Sequence, residues 1–270
     1  MASWKPVSSK TLKLDMQTCS ANVGDVIEKE LGDIFGVMWD GWTHGTVHYV
    51  GIYGVTFVNG KRRERLLSLS PLVDGSQDAE VHIAMFKRVL SLYNKNVSMV
   101  AFLVGDNCAT NRRIATLMEL PLVGGGRLSG YGKPLAPKRK IVHSPVFEAA
   151  LVKIENKVKL TAAEARSVQR FVVDPPASSG KRKERSSSDY ANEILRGGKK
   201  ARSSGAASAT YHDLAKVVPP TSNTVERLFS QCKFILTPQR SCMLPANFEM
   251  LAFLRVNRDL WNATSLLTTE

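Results

Sequence analysis

The sequence predicts a mixed α/β fold, in which helices flank one sheet and a helical segment closes the chain. Three observations support this class. Runs rich in β-branched and aromatic residues between residues 34 and 72 have the length and spacing of antiparallel strands. An amphipathic helical pattern, Ala79–Tyr93, separates them from Met99–Gly105, a run that is apolar on both faces. The resulting order β-β-β-α-β-α-β is typical of a mixed sheet with helices on its faces.

The N-terminal part of the chain, residues 1–33, is a helical lead-in, because Val23, Ile27 and Leu31 recur on one helix face. The core follows at residues 34–126. Its first three strands are predicted at Ile34–Trp39, His48–Val58 and Leu66–Leu72. The turns between them are predicted at Asp40–Gly45 and Asn59–Gly60.

The second half of the core begins with the helix Ala79–Tyr93 and the strand Met99–Gly105. Asp106 is in a position to cap the next helix, Asn107–Leu117. A last short strand is predicted at Leu120–Val123. In this order the fourth strand can lie beside the first strand and parallel to it, after a helical crossover.

A basic segment, residues 127–210, separates this core from the C-terminal segment, residues 211–270. Helical patterns occupy Ser144–Phe171, where Thr161 and Glu164 have the spacing of a capping box. Residues 174–209 are rich in Ser, Gly, Ala, Pro and basic residues, and we expect disorder there, except for a short helix near Tyr190–Leu195.

The net charge of +13 and the isoelectric point of about 9.7 favour a polyanionic partner, of which nucleic acid is the commonest. Eighteen basic and seven acidic residues between Arg127 and Arg202 contribute +11 of that charge. The alternative is therefore that the charge belongs to a solvated linker and not to a folded binding face.

The four cysteines, which are Cys19, Cys108, Cys232 and Cys242, form no CxxC pair and lack histidines at zinc-ligand spacing. We therefore expect no structural zinc and reduced thiols. The N-terminus lacks the apolar stretch of a signal peptide, and no apolar run is long enough for a membrane span, so no membrane partner is expected.

Two acids follow strands whose carboxyl ends should meet. Asp40 follows the first predicted strand and Asp106 follows the fourth, at the edge where open α/β sheets place their sites. Paired carboxylates bind Mg²⁺ through hard oxygen ligands. A structural reading exists for each acid, since Asp40–Gly41 is a good turn dipeptide and Asp106 a good helix cap.

A third acid, Glu226, lies in the first turn of a helix after residue 219. Its structural reading is a capping box with Asn223. The same helix carries an apolar stripe, and a second stripe follows Pro245. The residues of these two stripes are Val225, Leu228, Phe229, Cys232, Ile235, Phe248, Leu251 and Phe253. The stripes can pack within the chain, but their breadth favours an additional contact with a second protomer.

Three sequence blocks together resemble the hAT superfamily of DNA transposases. They are an Asp-Gly-Trp block at residues 40–42, a Gly-Asp-Asn-x-x-x-Asn block at residues 105–111, and a Ser-Asn-x-x-Glu-Arg-x-Phe-Ser block at residues 222–230. The blocks occur in the order of the family. The likeness covers most of residues 1–123 and 205–262.

The resemblance implies a ribonuclease-H-like core in which Asp40, Asp106 and Glu226 bind Mg²⁺ or Mn²⁺. It matches Asn107 and Asn111 to the second block of the family, and it implies dimerisation through residues 211–270. The chain departs from the family after LPLVG, since the Cys-x-x-His motif and most of a long helical insertion are missing, as is a BED-type zinc finger. It looks like an internally deleted element copy.

The leading hypothesis is thus a transposase-derived protein that dimerises with itself or with an intact related transposase, binds DNA weakly, and does not transpose autonomously. One alternative is an active metal-dependent transposase or nuclease, and another is a non-catalytic basic DNA-binding protein. Basic clusters at residues 181–185 and 199–202 have the pattern of a bipartite nuclear import signal, so a nuclear location is expected.

Overall fold

A computed structural model describes residues 7–72, 78–124, 144–173, 209–237 and 243–262. The chain divides into two compact units. One comprises residues 1–171 and 213–270, and the other residues 172–212. The expected disorder at residues 174–209, the helix near Tyr190–Leu195 and the basic clusters lie almost entirely outside the described residues. The second unit is described only by a short antiparallel pair, Val172–Val173 and Thr210–Tyr211.

The first unit contains one five-stranded mixed sheet. Its strands are β1 Phe35–His44, β2 Val47–Val58, β3 Lys61–Pro71, β4 Val100–Val104 and β5 Leu122–Val123. Their order across the sheet is β3-β2-β1-β4-β5. The first three strands are antiparallel, whereas β4 pairs in parallel with both β1 and β5. The predicted α/β class is confirmed, as is the parallel neighbourhood of the first and fourth strands.

Seven α-helices are described in the first unit. They are α1 Ser9–Leu31, α2 Ala79–Leu92, α3 Ala109–Met118, α4 Pro145–Glu155, α5 Ala162–Ser167, α6 Asn223–Ile235 and α7 Pro245–Val256. Four 3₁₀ turns accompany them, at Val97–Met99, Gln169–Phe171, Asp213–Lys216 and Arg258–Leu260. Within the described ranges, no helix is long and apolar enough to cross a membrane.

Local chemistry explains where several elements begin and end. The Ser8 hydroxyl accepts a hydrogen bond from the Thr11 amide at 3.0 Å and caps α1. Thr161 and Glu164 form the predicted capping box of α5. Asn59 and Gly60 both have positive φ angles, 52° and 76°, which is the geometry that a tight β2–β3 hairpin needs.

Helices cover both faces of the sheet. On one face, Trp39 of β1 meets Phe86 of α2, with ring centroids 5.1 Å apart. On the other face, Phe102 of β4 stacks on Phe171, which in turn stacks on Phe147 of α4. Residues 144–171 of the predicted linker therefore pack as part of the first unit.

The C-terminal segment joins the same core. The Asn257 side-chain amide donates to the Leu66 carbonyl at 3.0 Å, and Arg65 of β3 binds both Glu30 of α1 and Asp259. Two helices occur after residue 219 as predicted, and residues 238–242 between them lie outside the described part of the chain.

Candidate active site at the carboxyl ends of β1 and β4

Asp40 lies within β1 and not in a turn after it. The predicted turn at Asp40–Gly45 is wrong at its start, because β1 continues to pair with β2 as far as His44↔Val47 and turns only at Gly45. The last parallel pair with β4 is Met38↔Val104. Asp40 therefore emerges two residues past the point where the parallel pairing ends, and its Oδ1 accepts from the Gly41 amide at 2.8 Å.

Asp106 is placed by a side chain of α3. It does not cap that helix, because Cys108 occupies the N-cap position and its Sγ accepts from the Asn111 amide at 3.4 Å. Instead, the buried Asn111 side-chain amide donates to the Asp106 carboxylate and, at 3.2 Å, to the Asp106 carbonyl. The exposed carboxylate of Asp106 is thereby held two residues beyond the end of β4.

Glu226 lies on the exposed side of the first turn of α6. The residue at the N-cap position is Ser222, without a side-chain cap hydrogen bond, and Asn223 is already helical. The capping-box interpretation of Asn223 and Glu226 is therefore wrong. The Glu226 carboxylate therefore does not take part in a capping box at the N-terminus of α6.

The helix that carries Glu226 packs directly on the strand that pairs with β1. Asp40 is paired with Gly51 of β2, and the α6 residues Val225, Leu228 and Phe229 lie over Gly51. This contact brings the third acid to the face of the sheet on which Asp40 lies. The structure thus gathers the three predicted acids around the end of β1.

The pKa of Asp40 responds to burial and to the two other acids. Burial raises the pKa of the Asp40 carboxyl above its usual value, and the charges of Asp106 and Glu226 raise that pKa further, against a lowering effect of the Gly41 amide. Like charges at one site disfavour ionisation of each other. The cluster therefore carries an excess of negative charge that a bound cation would relieve.

A cleft of about 190 Å³ opens beside two of these acids. Its lining residues are Trp39, Asp40, Gly41, His48, His82, Asp106, Cys108, Thr110 and Asn111. A space of this size accommodates a few water molecules or a small polar group. The cleft therefore gives small polar species access to Asp40 and Asp106.

Two histidines that the sequence did not single out as site residues, His48 and His82, also line this cleft. The His48 Nδ1 lies 2.9 Å from the Thr43 hydroxyl, and its ring covers Gly41. The His82 Nδ1 lies 2.9 Å from the Asp78 carbonyl oxygen. Burial and the neighbouring His82 lower the pKa of His48. The pairing register of the β1–β2 hairpin could have indicated that His48 lies near the site, since it places His48 opposite Thr43.

The residues fit a divalent cation by their chemistry. Carboxylate oxygens are the donors that Mg²⁺ and Mn²⁺ prefer. Across the described ranges, however, no group of three or more His, Cys, Asp or Glu side chains is arranged so that it could hold a metal ion. Asp40, Asp106 and Glu226 are thus neighbours whose carboxylates do not yet form a closed ligand set.

The apolar stripes expected to form a dimer face are largely covered within the chain. Val225, Leu228, Phe229, Cys232, Ile235, Phe248 and Phe253 are all buried, and Leu251 is half-buried. Intramolecular packing, which was the alternative interpretation, accounts for these side chains. Large apolar side chains that do remain exposed in this segment are Phe234 and Leu244, at 73% and 61%.

Comparison with known proteins leaves the family open. No protein-family model matches the chain, and no curated protein is significantly similar to it in sequence. The likeness to hAT transposases therefore depends on the three sequence blocks alone.

Proposed function

We propose that this chain is a hAT-transposase-derived protein whose Asp40, Asp106 and Glu226 carboxylates bind Mg²⁺ or Mn²⁺ and act on DNA phosphodiesters. The observation that carries the proposal is that Asp40 and Asp106, which follow two parallel strands, line one cleft. Glu226 lies on the helix that packs over Gly51, the residue of β2 that is paired with Asp40. Carboxylates with purely structural roles have no need to lie near one another, so their clustering in a cleft favours a functional site.

The sheet supports the proposed fold family. A ribonuclease-H-like domain is consistent with the order β3-β2-β1-β4-β5, in which β1 pairs antiparallel with β2 and parallel with β4. Asp40 and Asp106 then emerge from adjacent central strands. Fold-level similarity alone does not define an activity, so the argument for function remains with the acids.

Each carboxylate has a distinct part in this proposal. Asp40 is the partly buried centre of the cluster, Asp106 is held by Asn111, and Glu226 arrives on α6. A bound divalent ion supplies charge neutralisation and lowers the pKa of an attacking water. The cleft beside Asp40 and Asp106 keeps the site accessible to such a water.

DNA is the substrate that the charge of the chain favours. The first unit supplies the acids, while residues 127–202 supply +11 of the total charge of +13. Electrostatic contacts to phosphates are sequence-independent and weaken steeply with salt. We therefore propose weak, salt-sensitive DNA binding and, with a nuclear import signal, a nuclear protein that does not transpose autonomously.

A second candidate function is self-association, or association with an intact related transposase, without cleavage. The exposed Phe234 and Leu244 side chains favour it, since both lie in the segment for which a dimer contact was expected. Phe234→Asp should then reduce the apparent mass measured by light scattering at high concentration. A wild-type chain that is monomeric throughout the concentration series excludes this candidate.

The decisive experiment measures Mn²⁺ binding by calorimetry together with nicking of supercoiled DNA. Asp106→Asn should weaken Mn²⁺ binding and abolish nicking. Asp33→Asn, an exposed acid before β1, is the matched control and should change neither. Nicking that persists in Asp106→Asn would contradict the catalytic proposal, and wild-type protein that binds DNA but nicks none would leave the non-catalytic candidate.

A further inference from the structure

Gly51 of β2 is paired with Asp40 and packs against α6, the helix that carries Glu226. A methyl group on Gly51 would lie 3.0 Å from Val225 Cγ1, 3.1 Å from Leu228 Cδ2 and 3.4 Å from Phe229 Cε1. Carbon atoms in contact are ordinarily about 3.5–4.0 Å apart. A methyl group at position 51 would therefore require these α6 side chains to move by a few tenths of an ångström.

Other tightly packed glycines of the sheet serve different contacts. A methyl group on Gly54 would meet Leu31 of α1, and one on Gly36 would meet the ring of Phe102. Among the described glycines, Gly51 is the one whose added methyl would meet α6. The close packing at Gly51 therefore involves the helix that carries the third acid, whereas the packing at Gly54 and Gly36 does not.

The residue that packs closest to Gly51 is next to Glu226 in the sequence. Val225, which is fully buried, directly precedes Glu226 in the first turn of α6. The Thr224 hydroxyl donates to the Glu64 carboxylate of β3 at 2.5 Å and fixes the same turn sideways. Because interiors are closely packed, a methyl group at Gly51 should be felt in the turn of α6 that carries Glu226.

We propose that Gly51 is a positioning residue: the absence of its side chain lets α6 approach β2 closely enough to place Glu226 beside Asp40. The role of Gly51 in metal binding rests on the proposed function. Its role in placing α6 is independent of that function, because it depends on packing alone. This difference allows the two ideas to be tested separately.

The test compares Gly51→Ala with the double variant Gly51→Ala/Val225→Ala, which removes the nearest colliding atom. Helix position is read from the ¹⁹F resonance of Trp42 in protein labelled with 5-fluorotryptophan, assigned by its loss in Trp42→Phe. Mn²⁺ binding is measured by electron paramagnetic resonance. Gly24→Ala is the control, because nothing lies within 4 Å of its added methyl group.

Gly51→Ala should shift the Trp42 resonance and weaken Mn²⁺ binding roughly tenfold, as expected for loss of an outer-shell support. The double variant should restore both, and Gly24→Ala should change neither. If circular dichroism shows that Gly51→Ala does not fold, Val225→Ile tests the same contact from the helix side, with the same two changes expected.

The proposal is overturned if Gly51→Ala folds and binds Mn²⁺ with wild-type affinity. It is also overturned if Gly51→Ala weakens Mn²⁺ binding and the double variant Gly51→Ala/Val225→Ala does not restore it. If the wild-type protein shows no Mn²⁺ binding that depends on Asp40, the proposed function fails. The fluorine resonance of the metal-free protein then decides about Gly51: a shift reversed in the double variant supports its role, and an unchanged resonance refutes it.

Discussion

The indole of Trp42 stacks on the ring of Phe229, with centroids 5.7 Å apart and ring planes inclined by 23°. Trp42 lies two residues after Asp40 on β1, and Phe229 lies three residues after Glu226 on α6. Residues at these spacings share a strand face and a helix face respectively. The aromatic pair therefore fixes the helix of the third acid to the strand of the first.

Phe229→Ala should destabilise the protein by about 3–4 kcal/mol, the usual cost of truncating a buried Phe. Phe229 is 6% exposed and also lies over Gly51. Phe234→Ala on the same helix is the control, since a side chain 73% exposed should cost less than about 0.5 kcal/mol. Urea unfolding measures both, and equal costs would show that α6 is not packed on the sheet as described.

Arg65→Met should destabilise the fold by about 2–3 kcal/mol, because it leaves the Glu30 carboxylate partly buried without its partner. The Arg65 guanidinium is 7% exposed, with its Nε 2.6 Å from Glu30 and Nη1 2.8 Å from Asp259. It joins α1, β3 and the 3₁₀ turn Arg258–Leu260. Thermal unfolding at neutral pH measures the loss.

The Arg113–Glu80 pair is the control for Arg65, since it is equally short at 2.5 Å but both side chains are more than half exposed. Exposed ion pairs contribute little to stability. Arg113→Met should therefore leave the unfolding transition unchanged. If the two substitutions have the same effect, the burial of Arg65 is not what makes its ion pairs important.

Asp40→Asn should stabilise the metal-free protein at neutral pH. Because the folded pKa of Asp40 is raised above its usual 3.8, the folded state binds the proton more tightly than the unfolded state. Wild-type stability from this group is fully present below pH 3.8 and is lost as the pH rises through the raised pKa. The variant should melt about 1–3 °C higher at pH 7.

The same advantage should disappear near pH 3, where Asp40 is protonated in both states. Calorimetric melting across the pH range measures the difference between the two proteins. Excess Mg²⁺ should reverse the order at pH 7, since only the wild-type cluster gains stability by binding it. A variant that melts lower than wild type at pH 7 without metal would contradict the repulsion described at Asp40.

Asn111→Ala should weaken Mn²⁺ binding and cost about 1–2 kcal/mol of stability, because the buried amide donates two hydrogen bonds to Asp106. Asn156→Ala is the matched control, as its amide donates to the Val152 carbonyl at 2.8 Å on an exposed surface and its φ of −85° suits alanine. Titration calorimetry and urea unfolding measure the two effects. Wild-type Mn²⁺ affinity in Asn111→Ala would show that Asp106 needs no orientation.

Sequence periodicity predicted the sheet well because its strands are buried and continuous. β2 and β4 lie within one residue of their predicted bounds, and the parallel pairing of β1 with β4 follows from the crossover rule. The end of β1 was missed because Asp40–Gly41 is a favourable turn dipeptide. Pairing with β2 outweighs that local preference, and His48 covers the space above Gly41.

The approach of Asp40 to Asp106 follows from the parallel crossover between β1 and β4, whereas only the resemblance placed Glu226 with them, and none of the three orientations could be predicted. Local patterns placed a cap at Asp106 and a capping box at Glu226, whereas Cys108 and Ser222 occupy those N-cap positions. Which residue caps a helix depends on the direction of the incoming chain, and tertiary packing sets that direction. The burial of the α6 stripe likewise depends on Gly51, which carries no side chain to form a pattern.

The hydrogen bond from Asn257 to Leu66 and the ion pair from Asp259 to Arg65 also determine the order in which the molecule can be completed. β3 is an edge strand, and Asn257 and Asp259 are synthesised long after it. Until they emerge from the ribosome, a nascent chain already contains Asp40 and Asp106 but leaves β3 without these contacts. The β2–β3 hairpin therefore stays partly unprotected until residue 259 has been made.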